Sequence, residues 1–583
     1  MMKTFCNPLD IFCRFSAAGR GQLEPFRETA DPAAVYYHGK YFLFTSKTSG
    51  YHWSDDLATW HYIRCTALPE EGYGPDVWIF HDTLYFTTGW WAGSGQPEEE
   101  PKGIFRADDP EKGLWTCLGV PEGAEYCADP KVFVDDDGRV YLYRGCSAGG
   151  PLEGAELDIE NMKIKGQWVT FAEVDPLRRG WERPGENNSV REEDNALLLP
   201  VLRPHWKDGK YHEPQLWNEG AWMTRYNNTY YLQNSVPGTE LNVYADGIST
   251  ATGPLGPFTL QADNPLSLKP SGFITGAGHS GTFEDRHGNF FHTSTMRISV
   301  HHPFERRVGL FPAGFFSDGT MFCSTRFGDW PHRVPEKYEE PGTDLFTGWT
   351  LQSLHAGIRA SSEEAEHPAS MAVDENIRTF WAAAPGDREP VLTMDLHHPC
   401  LVHAVQINFA DRHCAQYAFD GPGGAQRFLL EFSEDAICWH TAADRRSNIQ
   451  DRVHVYLPFE QPFRARFIRL TVFAVPAGGV AAVSGLRVFG SDGSGAPEKP
   501  ETPEVFRSPD DPCVFRVRWK LPEGAYGVNI LWGLAPGRMH HCRQELNVSE
   551  TVIRSLHADL SYLVALEAFG RGGVSARSDA VRI

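Results

Sequence analysis

Residues 129–145 read DPKVFVDDDGRVYLYRG, and the fold follows from how this stretch is read. An acidic residue and a proline lead a short apolar run, Asp135-Asp136-Asp137-Gly138 gives a strong turn signal, and an aromatic-rich strand returns. The stretch is a β-hairpin with one carboxylate, Asp129, at its head. Four other stretches repeat the plan. Asp31 leads DPAAVYYHGKYFLFTS, with its turn at His38-Gly39-Lys40, and Asp76 leads DVWIFHDTLYFTTG, turning near His81-Asp82. Glu219 leads EGAWMTRYNNTYYLQNS, turning at Asn227-Asn228, and His279 leads HSGTFEDRHGNFFHTS, turning at His287-Gly288. Between nine and twelve residues, close to ten or eleven, separate each leading residue from the first aromatic of the second strand.

The five starts lie roughly one propeller blade apart, the longest gap falling where PGENNSVREED reads as an inserted loop. The spacing predicts a five-bladed β-propeller. Innermost strands of all blades surround one axis, so four acids and a histidine, distant in sequence, converge on one pocket. Asp31-Pro32 and Asp129-Pro130 strengthen this, because a residue before proline is expected in the extended region, which restricts its side-chain direction. After the fifth unit, the segment HHPFERRVGLFPAGFF and the residues beyond it supply strand material to close the ring.

Composition fits an all-β protein of several domains. The chain has 583 residues, room for roughly three or four domains. Aromatics at 13%, with 56 Gly and 41 Pro, suit short strands and many turns. A formal charge of -22 argues against nucleic acid or an anionic membrane surface as the main partner, whereas a neutral sugar is compatible. MMKTFCNPLDIFCRF does not read as a signal peptide, and no run has the length of a membrane span. The 12 Cys are scattered without a CxxC pair, as suits reduced thiols. The expectation is a cytoplasmic protein, with export lacking a cleavable signal left open.

The propeller is expected over 1–340. EKYEEPGTD, near 336–344, reads as a linker, and alternating apolar strands over 345–492 indicate an antiparallel sandwich. A second Gly/Ser/Pro-rich linker precedes a small seven-strand sandwich over 500–583, with Trp519 as its buried tryptophan.

If Asp31, Asp129 and Glu219 share a sugar-sized cleft, they carry the equipment of glycoside hydrolysis. One acid protonates the leaving oxygen, another activates water or attacks the anomeric carbon, and the third orients the acid and raises its pKa by like-charge repulsion. Trp78, Trp90, Trp91, Trp222 and Phe273 are either blade core or flat faces for sugar rings. His279 is either a hydrogen-bonded structural residue or a central group around a cation or water network. Arg306 and Arg307 are either solvated or clamps on substrate or on the carboxylates.

TADPAAVYYHGKYFLF, CADPKVFVDDDGRVYLYRG, NEGAWMTRYNNTYYLQNS and GAGHSGTFED together resemble glycoside hydrolase family 43, over about residues 1–335. The resemblance implies a five-bladed propeller and an inverting enzyme on arabinose-, xylose- or galactose-containing glycans. An exo-acting α-L-arabinofuranosidase or β-xylosidase-like enzyme is the leading reading. A retaining fructosidase-like hydrolase and a non-catalytic lectin propeller are the alternatives. It further implies Asp31 as general base, Asp129 as pKa modulator and Glu219 as general acid. His279 falls on a central histidine associated with calcium or water, Arg307 on an arginine that contacts sugar, and Asp76 on a variable substrate contact. No cofactor is required for the chemistry.

The second region resembles a discoidin-like (F5/8 type C) domain, with Asp374, Asn376 and Thr379 matching its calcium-loop pattern; Gly485 stands where a glutamate is common. The last region looks like a fibronectin type III module. The implied partner is an oligosaccharide or polysaccharide.

Overall fold

The computed structural model describes residues 2–16, 26–70, 72–90, 100–191, 193–195, 206–207, 210–211, 216–414 and 424–583. Five antiparallel sheets form the predicted propeller. Blade 1 runs Ala30–Tyr37, Lys40–Ser46, Gly50–Ser54 and His61–Arg64; blade 2 runs Asp76–Phe80, Thr83–Thr87, Ile104–Asp109 and Leu114–Gly119. Blade 3 is Lys131–Val134, Val140–Arg144, Leu152–Asp158 and Lys163–Phe171, and blade 4 is built on Trp217–Tyr226, Thr229–Val236 and Ala245–Ala251. Blade 5 is built on Thr275–Glu284, Phe290–Arg297 and Arg306–Phe315. The innermost strand of each blade packs against that of the next, and the fifth returns to the first.

The hairpin turns explain the repeat. Blades 1, 2 and 4 turn on two residues with positive φ: His38 and Gly39, His81 and Asp82, Asn227 and Asn228. That conformation matches the right-handed twist of the flanking strands. Blades 3 and 5 use longer loops with Gly138 and Gly288 at φ 81° and 88°. Ring closure differs from the expectation. Arg306–Phe315 is an ordinary third strand of blade 5, and the N-terminal strand Arg27–Glu28 joins its outer side in parallel, with Arg14–Phe15 beyond it. The chain start therefore completes the last blade.

Two sandwiches come after the propeller. The first is a sheet of eight strands in which Val391–Phe409 and His454–Ala474 are long enough to bend through register shifts and serve both layers. The second pairs a three-stranded sheet (Glu504–Arg507, Phe515–Arg518, Glu550–Ile553) with a five-stranded one around Ala525–Gly533 and Leu563–Gly570. Trp519 is buried in its core, which runs on into propeller residues Trp181, Leu241 and Val243. The segment that leads into the inserted loop after blade 3 is pinned here: Gly180 donates its N–H to the Leu556 carbonyl and Arg183 bonds Asp511 at 2.5 Å. Residues 91–99, with the candidate aromatic Trp91, lie outside the described residues. Among the described residues no helix is long and apolar enough to cross a membrane.

Candidate active site

Four leading residues meet at one end of the axis, and three of them stand where an innermost strand breaks register. In blade 1 pairing jumps from Ala30 opposite Ser46 to Ala33 opposite Phe44, leaving Asp31 and Pro32 in the irregular step. Blade 4 jumps from Glu219 opposite Ser235 to Trp222 opposite Gln233, and blade 5 jumps between Gly278 and Gly281 around His279. One extra residue re-aims a side chain that strict alternation would send into the blade.

Asp31 and Asp129 have φ of 51° and 47°, so the extended conformation expected before proline does not form. Aspartate is one of the few side chains that tolerate this left-handed region. Local contacts hold it: the Asp31 N–H donates to Thr295 Oγ1 at 2.8 Å, and Gly74 passes so close to Asp129 that a Cβ there would fall 2.5 Å from Oδ1.

The carboxylates differ in their surroundings. Asp31 accepts Ser46 Oγ at 2.6 Å and both terminal nitrogens of Arg306, at 3.0 and 3.2 Å. Burial pushes its pKa up, but Arg306, then His279 and the Ser46 and Thr295 hydroxyls, outweigh burial and hold it below the ordinary value. Asp31 is a pinned carboxylate, the state a base needs. At Asp129, burial first, then the charges of Glu219 and Asp31, push the pKa up to about 7 against the opposing effect of His279. Glu219 accepts the Cys146 thiol at 3.0 Å on one oxygen and the Tyr244 hydroxyl on the other. One oxygen each of Asp129 and Glu219 and the Cys146 sulfur lie within 4.8 Å of one another.

His279 ties the group together, its Nδ1 3.6 Å from Asp31 Oδ1 and 3.9 Å from Asp129 Oδ2. Burial lowers its pKa, yet Asp31, Asp129 and Glu219 together raise it above the ordinary value. The imidazolium is thus the counter-charge to three acids. Gly220, at φ 64°, lies against this ring, where a Cβ would come within 2.9 Å of Cδ2, so the residue after Glu219 must be glycine.

Four expected contacts lie elsewhere. Asp76 is 1% exposed and turns to the next blade, where its carboxylate accepts Lys131 Nζ at 2.8 Å and the Val132 N–H at 2.7 Å. It has no capacity to spare for a sugar. Trp78 stacks on Tyr85 at 4.4 Å in blade core. Trp222 lies 3.4 Å beneath the Lys131 ammonium and donates its N–H to the Thr282 carbonyl. Both line a cavity of about 1070 Å³ formed by later residues of the same innermost strands, and none of the acids reaches it. Arg307 projects from the face of its strand opposite Arg306: it donates to His454 Nε2 at 2.8 Å and to the Arg27 and Arg306 carbonyls, in the contact with the first sandwich. Of the two arginines, the one at the acids is Arg306. Cys146 and Tyr244 carried no signal in the sequence, since strand pairing alone sets Cys146 opposite Glu219.

In the 374–379 loop Asp374 accepts the Thr379 hydroxyl at 2.7 Å and the Asn376 N–H at 3.1 Å. A side chain at Gly485 would meet Phe273 of the propeller at 2.8 Å. These bonds make the start of the loop a capped turn, and the second carboxylate of the loop, Glu375, is held by Arg487.

The family model for glycosyl hydrolases family 43 matches residues 25–321, and that for the F5/8 type C domain matches residues 357–485. Among curated proteins the chain is 28% identical over 258 residues to a beta-xylosidase of Xylanibacter ruminicola, covering 40% of this chain and 78% of that protein. It is also 28% identical over 265 residues to xylosidase/arabinosidase 43A of Humicola insolens, with the same coverage of 40% and 78%. A solved thermostable family-43 glycoside hydrolase superposes with a TM-score of 0.41 at 18% identity, over 55% of this chain and 95% of that one. With its family model spanning more than half of the sequence, the chain belongs to glycosyl hydrolases family 43 and is a glycosidase that carries an F5/8 type C domain.

Proposed function

We propose that the protein is an inverting, exo-acting glycoside hydrolase on arabinose- or xylose-containing glycans, an α-L-arabinofuranosidase or β-xylosidase-like enzyme. The observation that carries the mechanism is the contrast among three acids in one pocket: Arg306 holds Asp31 below the ordinary carboxylate value, while burial and the neighbouring Glu219 and Asp31 push Asp129 up to about 7. Asp31 deprotonates the water that attacks the anomeric carbon. Glu219 protonates the departing oxygen, and Asp129 keeps that proton in place by like-charge repulsion. The sugar class rests on the names of the relatives, a beta-xylosidase and a xylosidase/arabinosidase.

Glu219→Gln is expected to lower kcat on natural glycosides by about 10²–10⁴-fold while substrate binding persists. Near-normal turnover by that variant sinks the assignment of the acid. Proton NMR of the first-formed anomer tests inversion, and a panel of nitrophenyl furanosides and pyranosides tests the sugar. The chemistry proposed uses carboxyl groups alone, so the rate per folded molecule is expected to survive dialysis against a chelator.

The same proposal divides the chain into a catalytic propeller over 1–340, a sugar-binding sandwich over 345–492 and a fibronectin type III-like sandwich over 500–583. The three- and five-stranded sheets of the last region support this reading. Twelve cysteines without a disulfide support a cytoplasmic location, which fractionation of the producing cell tests.

A further inference from the structure

Far from the acids in sequence, a second cluster forms where the propeller meets the last sandwich. Asp263 lies in blade 4 between the strands Thr259–Leu260 and Ser267–Leu268, while His541 begins the strand His541–Leu546 and His540 precedes it. All three are buried. One ligand atom from each lies within 4.8 Å of the other two. Asp263 Oδ1 is 3.3 Å from His541 Nε2, and Oδ2 is 3.8 Å from His540 Nδ1.

The contact to His540 is too long for a hydrogen bond, and the one to His541, a long hydrogen bond, has the separation of two ligands on one ion. Nitrogen and oxygen ligands bound at about 2.0–2.1 Å around a tetrahedral zinc stand about 3.3 Å apart. His540 is the second observation. It is 7% exposed, and neither ring nitrogen has a hydrogen-bond partner among the described residues. Buried imidazoles normally find a partner, and an unsatisfied one beside a carboxylate and a second imidazole points to a missing electrophile.

The Arg538 guanidinium near the group is itself met by Asp318, 2.6 Å away.

We propose that Asp263, His540 and His541 bind a divalent transition-metal ion, zinc by their ligand chemistry, and that this ion fastens the propeller to the C-terminal sandwich. Two histidines and a carboxylate are a zinc set that leaves a fourth position for water. One ligand comes from the propeller and two from the sandwich, so only the docked arrangement assembles the site. Binding is therefore linked to docking and stabilises it.

The test uses the full chain, stripped with a chelator and titrated with Zn²⁺ against a chromophoric competitor. One equivalent is expected to bind, with a rise in the thermal midpoint. Co²⁺ in its place is expected to give a d–d spectrum without a thiolate-to-cobalt band. His540→Gln and Asp263→Asn should each weaken binding by about 100-fold or more and keep hydrolysis of a nitrophenyl glycoside. Cys146→Ser should leave the stoichiometry unchanged. Absence of binding by the wild-type chain, or binding that survives His540→Gln, overturns the proposal. A thiolate band, or loss of the equivalent in Cys146→Ser, places the ion among Asp129, Cys146 and Glu219 and overturns it equally. The cobalt spectrum of the wild-type chain decides without any variant.

Discussion

Blades 2 and 3 are neighbours on the axis and each is led by an aspartate, yet Asp76 and Asp129 have opposite fates. Asp76 enters its strand in register, directly opposite Thr87, and its charge is taken up by Lys131. Asp129 precedes its strand at a positive φ and shares its surroundings with Glu219 and with His279, whose Nδ1 stands 3.9 Å away, whereas Asp31 is hydrogen-bonded by the Arg306 guanidinium. A buried carboxylate neutralised inside the fold supports stability. One left among like charges stores a protonation equilibrium that chemistry can use.

The largest expected effects bear directly on this pair. Asp76→Asn leaves Lys131 as an uncompensated buried charge and is expected to destabilise the protein by about 3–5 kcal/mol, measured by denaturant or thermal unfolding. Asp129→Asn is expected to act in the other direction on stability. Its folded pKa, about 7, lies above the unfolded value of 3.8, so stability declines as pH rises between them and the full penalty is present above pH 7. Asparagine has no such penalty, so the variant should melt higher at pH 8 while losing about 10²-fold in kcat. Its kcat/KM profile should also change: the titration of Asp129 near pH 7 should be lost from it. Equal destabilisation by both variants breaks the contrast.

A second pair sharpens it. Arg306→Lys keeps a charge and loses the fork on Asp31, so kcat/KM is expected to fall on the order of tenfold, with the acid limb moving to higher pH. Arg307→Lys should leave the rate per folded molecule unchanged and reduce stability by about 1.5–3 kcal/mol, through the lost bond to His454. The smallest effect is expected of Tyr244→Phe, which removes one donor to Glu219 and should lower kcat by about tenfold or less.

The sequence by itself determined the repeat. Alternating apolar strands, turn residues of known chirality and a fixed spacing are local properties, so five hairpins and their leading residues could be read directly from DPKVFVDDDGRVYLYRG and its relatives. Since equal phasing puts equal positions at one end of an axis, Asp31, Asp129, Glu219 and His279 were legible as a group. Tertiary structure decided what each leading residue does there. Register shifts aim Asp31, Glu219 and His279 inward, and no hydrophobic pattern encodes a one-residue bulge. The neutralisation of Asp76 by Lys131, the choice of Arg306 over Arg307 and the thiol of Cys146 at Glu219 depend on which neighbouring strand lies opposite. Packing of one sheet against the next, with strand pairing for Cys146, sets such contacts between residues up to 275 positions apart, and a carboxylate's pKa depends on those contacts, not on its place in the repeat.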